Sequence, residues 1–265
     1  MQHPALIRCF MSTMQNKTHL DITKAVTRKN VLADAEVKEV LNISPTVKEL
    51  TLYVKNPELS FKAGNWVDFF IPNVYQVGGF SMISSPQLLN EKRLLQLAVK
   101  RSNSIPAAWV HERCKSGDVV QIRVGGNFYF DRKEKEKVKN LILVAGGVGI
   151  NPLQSILEYC LDAEDLNLNK IVLHQSAQSE NELLFTNRHQ VMKNKIPLET
   201  RYYITKEPNK TSRMTYHDLE SSLTNSCHEE TAIYLCGPRG MTDTVESWVK
   251  EAGLPSNSLH FEKWW

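Results

Sequence analysis

The run Leu141-Ile142-Leu143-Val144-Ala145-Gly146-Gly147-Val148-Gly149-Ile150-Asn151-Pro152 is an apolar strand that ends in glycines and turns directly into a helix. Glycines let backbone come close to a diphosphate, Asn151 suits a helix cap and Pro152 suits the first turn. Free N–H groups and the positive end of the helix dipole then face the ligand. A side chain at Gly149 is expected to intrude on the diphosphate path. The segment is not the full G-x-G-x-x-G fingerprint, and its other reading is a tight connection without a ligand. The chemistry on offer is anion binding at the carboxyl end of a strand in a doubly wound α/β sheet, where dinucleotides bind.

Other reactive side chains narrow the field. Cys9, Cys114, Cys160, Cys227 and Cys236 are scattered, odd in number and free of C-x-x-C or Cys/His spacing, so no metal site, zinc or iron–sulfur, is expected. The eight histidines form no ligand pattern; His111 and His174 sit in periodic segments that suit core or surface roles. A net charge of +3 over 265 residues is too small for a nucleic-acid surface, and no apolar run reaches the ~20 residues of a membrane span. The composition is that of a soluble globular chain with room for two domains.

Stepping along the chain, residues 1–34 stand apart. Over the first thirty or so of them Arg8, Lys17, Lys24, Arg28 and Lys29 face the single acid Asp21, with no sustained apolar core, a pattern like that of a mitochondrial transit segment. A disordered N-terminus on a cytoplasmic protein is the alternative. From 35 to 131 strand patterns at 49–54, 66–71, 94–99 and 119–124 alternate with turns at Asn56-Pro57, 62–65 and 116–118, as in an antiparallel barrel. One helix interrupts them, with Ser104 as its cap and Pro106 in its first turn. Residues 132–139 are mixed in charge and read as a solvated connection. From 140 to 265 strand-like runs at 141–145, 171–176, 200–205, 231–236 and 258–262 alternate with helices starting near Pro152, Asn181, Thr215 and Met241. That order implies right-handed crossovers and a parallel sheet.

A barrel followed by a dinucleotide-binding α/β domain is similar to the layout of the ferredoxin-NADP reductase superfamily, and four stretches resemble its motifs in order. Gly78-Gly79-Phe80-Ser81 is similar to the Arg-x-Tyr-Ser stretch, whose aromatic ring packs on the flavin and whose serine lies near flavin N5. Gly78 stands where arginine neutralises the flavin phosphate, a task the resemblance leaves to Lys100 or Arg101. The helix after Ser104 resembles a second flavin-phosphate contact, with Ala107 and Ala108 in place of small hydroxyl residues. The Gly146–Pro152 turn resembles Gly-Gly-x-Gly-Ile-x-Pro, and Cys236-Gly237-Pro238-Arg239-Gly240-Met241 resembles Cys-Gly-Pro-x-x-Met, whose cysteine sits beside the nicotinamide. At the end of the chain, Glu262 resembles a polar residue of the same cleft, and Trp264 and Trp265 resemble terminal aromatics that stack on the flavin until nicotinamide displaces them. Without the family, the tryptophans are two aromatics packed on the last strand.

The resemblance implies a six-stranded antiparallel flavin-binding barrel followed by a doubly wound parallel-sheet nucleotide-binding domain. It further implies hydride transfer from NAD(P)H to bound FAD, and onward transfer to an acceptor, protein or small molecule, outside this chain. Ser81, Cys236 and Glu262 would line the reacting rings; Gly79, Phe80, Lys100, the 146–152 turn, Gly237, Pro238, Met241, Trp264 and Trp265 would hold the cofactors. The loop at 176–182 carries two acids and no arginine, which favours NADH over NADPH. A monomer suffices for this chemistry. The alternative is a flavin-free NAD(P)-binding regulatory or interaction protein on the same fold, motivated by Gly78 and the alanines.

Overall fold

The computed structural model describes residues 17–208 and 212–264. The first domain is built from β1 (Arg28–Asn42), β2 (Val47–Val54), β3 (Trp66–Phe70), β4 (Gly78–Ser81), β5 (Leu94–Lys100) and β6 (Val119–Gly125). They form one antiparallel sheet in the order β4-β3-β6-β1-β2-β5, and a bridge from Met82 to Leu97 draws its two edges together. Alternation sets the faces: Leu50, Leu52 and Val54 of β2 and Val67 and Phe69 of β3 point into the barrel core. Helix α2 (Pro86–Lys92), capped by Ser85, and helix α3 (Ile105–Glu112) lie against it, α3 through Pro106, Ala107, Val110 and His111.

The barrel begins before the expected boundary at residue 35. Strand β1 starts at Arg28, and a short helix α1 (His19–Ile22) precedes it, closed by a capping box between Thr18 and Asp21. The reason is a buried acid. Asp68 on β3 has no exposed surface and accepts hydrogen bonds from Arg28 (2.8 Å), Arg123 (2.7 Å) and His19 (2.8 Å). Burial opposes its ionisation, but these three donors outweigh it and hold the carboxyl well below the usual carboxylate range. Arg28, counted above among targeting-type charges, is thus a counter-ion of the barrel; residues 1–16 of that segment lie outside the described residues.

The second domain is a parallel sheet of β7 (Asn140–Gly146), β8 (Lys170–Ala177), β9 (Leu198–Ile204), β10 (Thr231–Cys236) and β11 (Leu259–Glu262), ordered β11-β10-β7-β8-β9. Helices α4 (Ile150–Asp162) and α5 (Thr186–Met192) cover one face over Leu141, Leu143 and Leu173. Helices α6 (Tyr216–Leu223) and α7 (Arg239–Glu251) cover the other over Ile142, Val144 and Leu235. Alternate residues of β7 thus serve two cores, which is why that strand is apolar throughout. The helix expected near Asn181 starts later: 180–182 is a single 3-10 turn, and α5 begins after Phe185, whose φ of 64° breaks the chain direction.

Helix α4 ties the domains together. Asn151 does not cap it; Gly149 occupies that position, and the Asn151 side chain instead donates to the Ala98 carbonyl of β5 at 2.7 Å. One turn on, Ser155 Oγ donates to the Ser84 carbonyl (2.7 Å) and accepts from the Gly64 N–H (3.3 Å). Barrel residues Val47, Ala63, Ile83, Ala98 and Phe128 share one apolar core with α4, β7 and β8. Residues 132–139 are stapled rather than loose, since Arg132 donates to the carbonyls of Lys135 and Val138. Ser155→Ala should leave two buried backbone groups unpaired and cost about 1–3 kcal/mol, several degrees of melting temperature by calorimetry. An unchanged melting point would mean that the seam is held elsewhere.

Candidate active site at the barrel–sheet junction

The glycines of the 146–152 turn have separate tasks. Gly147, at φ 56°, has nothing within 4 Å of a Cβ position. Gly146 and Gly149 are needed for close approach to the neighbouring turn after β10: a Cβ on Gly146 would lie 2.6 Å from Pro238 Cδ, and one on Gly149 would lie 2.2 Å from the Cys236 carbonyl oxygen. A side chain at Gly149 therefore collides with β10 rather than with a ligand path, which corrects the expectation above. Ile150, Asn151 and Pro152 are buried and serve packing. Gly237 is held as closely, its Cβ position 2.4 Å from Met241 Cε.

A cleft of about 920 Å³ opens over these turns, within the range of small-molecule sites. Gly146, Gly147, Val148, Pro238, Gly240 and Met241 form its floor, Ser176–Ser179 one wall, and Thr46, Val47 and Lys100 of the barrel another. The first turn of α7 carries no acid, so its positive end is left for an anion. Among the described residues, three cations line the cleft: Lys100, Lys206 and Arg213. Arg188 and Arg201, the other arginines near this sheet edge, are committed elsewhere, to Glu49 at 2.8 Å and to Glu199 at 2.8 Å. Of the acids, Glu182 accepts from Thr46 (2.6 Å), and Glu207 accepts from the Glu180 N–H (2.6 Å).

Two residues before Pro238, Cys236 ends β10 and pairs in register with Glu262 of β11. Glu262 accepts from Ser81 Oγ at 3.4 Å and from the Trp264 indole N–H at 3.1 Å, so the structure brings Ser81, Cys236, Glu262 and Trp264 together from both domains. Burial pushes the Glu262 carboxyl up to about 8, against the smaller opposing effect of its two hydrogen bonds. Burial and the neighbouring Glu262 raise the Cys236 thiol well above its ordinary value, so it stays a thiol and is no nucleophile. Trp265 lies outside the described residues.

The barrel side departs from the expected arrangement. The Phe80 ring meets Phe69 edge-on at 5.4 Å, and a Cβ on Gly78 would come within 2.9 Å of both Phe80 and Pro106, so an arginine there would displace one of them. Gly79 does not face a ligand: the His19 ring sits on it, with Nδ1 2.0 Å from a Cβ position. At the start of α3 the Ile105 N–H is already bonded to Gln76 Oε1 at 3.2 Å. A hydroxyl and a neutral acid beside an aromatic fit the ring end of a flavin site, while position 78 offers no cation at the phosphate end and Lys100, at the end of β5, lines the cleft over the glycine turns. Sequence reasoning missed His19, Lys206 and Arg213. Their only signals were a histidine in a charged leader and two cations beyond β9, and distance along the chain hid both.

Among the described residues, no helix is long and apolar enough to cross a membrane, and no cluster of His, Cys, Asp and Glu could hold a metal ion. Barrel, sheet and cleft together define a ferredoxin reductase-like oxidoreductase fold. It superposes on Amycolatopsis cytochrome P450 reductase GcoB with a TM-score of 0.75 at 20% identity, over 89% of this chain and 71% of that one. A ferredoxin NADP+ reductase from Neisseria gonorrhoeae, with bound FAD and NADP, gives 0.72 at 16% identity, over 88% and 99%. The family model for the oxidoreductase NAD-binding domain matches residues 143–247. Oxidoreductase NAD-binding domain-containing protein 1 of Bos taurus is 39% identical over 271 residues, 96% of this chain and 88% of that protein. The chain belongs to the oxidoreductase NAD-binding domain-containing protein 1 family.

Glu262 gives the site a pH signature. Between its ordinary value of 4.5 and about 8 the folded state holds a proton that the unfolded chain has lost. Stability therefore falls as pH rises through that window, by at most about 1.4 kcal/mol per pH unit. Melting curves from pH 5 to pH 8 should show the parent losing stability relative to Glu262→Gln. A difference independent of pH would mean that Glu262 is ionised throughout.

Proposed function

We propose that the protein is an NAD(P)H-dependent flavin oxidoreductase, which takes a hydride at the barrel–sheet junction and passes electrons to an acceptor outside the chain. The observation that carries this reading is the meeting of Ser81, Cys236 and Glu262 at the end of β10, two residues before Pro238 in the floor of the open cleft. Hydride transfer asks for two rings at contact distance, excluded water and tuned charge, not for a nucleophile or general base. A bound flavin would supply the hydride acceptor, which no side chain of this protein can.

The chain's own groups supply the rest. Gly147, the first turn of α7 and Lys100 hold the diphosphate of the nicotinamide dinucleotide. The Cys236 thiol gives the nicotinamide a small, uncharged neighbour at the end of β10. The Ser81 hydroxyl offers a hydrogen bond at the opposite side of the junction, and Glu262, neutral near pH 7, orients it without placing a fixed negative charge there. Lys206 and Arg213 flank the wall after β8, where the adenosine ribose of a dinucleotide lies in such sheets. They support NADPH, against the NADH preference expected from the loop composition.

A second reading, a flavin-free NAD(P)-binding protein, draws on the closed surroundings of Gly78 and on the Ile105 N–H already taken by Gln76. Colour separates the two. Purified protein should carry or take up FAD, with absorbance near ~450 nm that NADPH bleaches without oxygen. Protein that stays colourless in excess FAD while still binding NADPH would establish the second reading instead. For nucleotide preference, Lys206→Ala with Arg213→Ala should weaken NADPH by about tenfold or more, as expected for lost charged hydrogen bonds to a phosphate, and NADH far less. Equal losses by calorimetric titration would remove both cations from a phosphate-reading role.

A further inference from the structure

Trp264 is one of the two terminal aromatics that the resemblance assigns to stacking on the hydride-accepting ring, yet its indole already has partners, the N–H donating to Glu262 at 3.1 Å. It stacks on the imidazole of His19 (5.6 Å between centroids, 27° between planes) and meets Trp66 edge-on at 6.0 Å. It lines a small cavity of about 310 Å³ beside α1 and is not among the residues of the dinucleotide cleft.

His19 is fixed from the other side. Its Nε2 lies 2.8 Å from the buried Asp68 carboxylate, its ring meets Trp66 edge-on at 4.8 Å, and it fills the hollow that Gly79 leaves. Nδ1 is buried without a hydrogen-bond partner, so the ring is held by one nitrogen only. The cavity separates Ile22, Thr23 and Val26 from the last residues of the tail. The His19–Trp264 stack joins α1 to the tail, and open space lies beside the indole.

We propose that His19 is a positioning residue: the N-terminal helix holds the indole of Trp264 between His19 and Trp66 while its N–H stays on Glu262, and a planar ring bound beside Ser81 competes with His19 for the face of that indole. This inference rests on the flavin reading for its consequence but not for its test. Three contacts set the strength of the latch, the stack, the Asp68 bond and the indole N–H on Glu262, and only the first two pass through His19. A side chain on Gly79 would undo it by evicting the imidazole while leaving His19 in the chain.

The test uses the full-length protein without added flavin. Acrylamide quenching of tryptophan emission is compared for the parent and His19→Ala, each with and without Trp264→Phe, so that the difference reports Trp264 alone. His19→Ala should raise the quenching constant of Trp264 by at least about two-fold, the population ratio that an aromatic pair of this kind sets. His19→Phe, which keeps the stack and loses the Asp68 bond, should restore most of the protection. Gly79→Ala, which keeps His19 and removes its seat, should behave as His19→Ala does, and serves if that variant fails to fold. Unchanged quenching of Trp264 in the folded variants would overturn the latch. If the parent takes up FAD, His19→Ala should also bind it several-fold more tightly, because the indole no longer has to leave a partner; weaker or equal binding overturns the competition. A protein that never turns yellow ends the flavin reading and leaves the quenching result standing.

Discussion

The contact on which the site depends lies between two stretches of backbone. Gly149, in the turn after β7, sits so near the end of β10 that a Cβ would fall 2.2 Å from the Cys236 carbonyl oxygen. Parallel pairing of Ala145 with Cys236 brings the two strand ends level, and the missing side chains at Gly146 and Gly149 let their turns close on each other. The glycine turn and the start of α7 thereby share one cleft floor. Strand β11 then adds Glu262 beside Cys236. Widen the contact by one methyl group and floor, thiol and carboxyl lose their common frame.

The second requirement is that the barrel stay put on this frame, and helix α4 meets it. Its first turns belong to the sheet by chain order and to the barrel by hydrogen bonding, through Asn151 to Ala98 and Ser155 to Ser84. Ser81 lies three residues before Ser84, so the polar seam that fixes the domains also fixes the hydroxyl that reaches Glu262. An apolar seam alone would leave that register looser, because apolar contacts tolerate sliding and directional hydrogen bonds do not.

What the sequence made legible follows from local period. The strands of both domains, the helix after Ser104 and the glycine turn are recognisable because each is written in neighbouring residues, and the six-stranded barrel and doubly wound sheet stand as expected. What it hid depends on partners far along the chain. Asn151 suits a cap by position, yet Ala98 claims it. Arg28 and His19 look like leader residues until Asp68, forty or more positions on, is seen to need them. Gly79, aligned by resemblance with a flavin-binding stretch, answers instead to the His19 ring. Lys206 and Arg213 follow β9, and only the sheet order carries them to the wall after β8.

Two buried acids show how the same fold separates structure from chemistry. Asp68 has two guanidinium groups and an imidazole around it and is ionised; its charge is spent on closing the barrel over α1. Glu262 is offered, among the described residues, a hydroxyl and an indole N–H and no cation, and burial keeps its proton on. A carboxylate there would place a fixed negative charge between the two domains, whereas a neutral acid can orient Ser81 and leave the field near zero. Among the described residues, the lack of a cation bonded to Glu262 is therefore as much a part of the site's construction as the cations around Asp68 are of the barrel's.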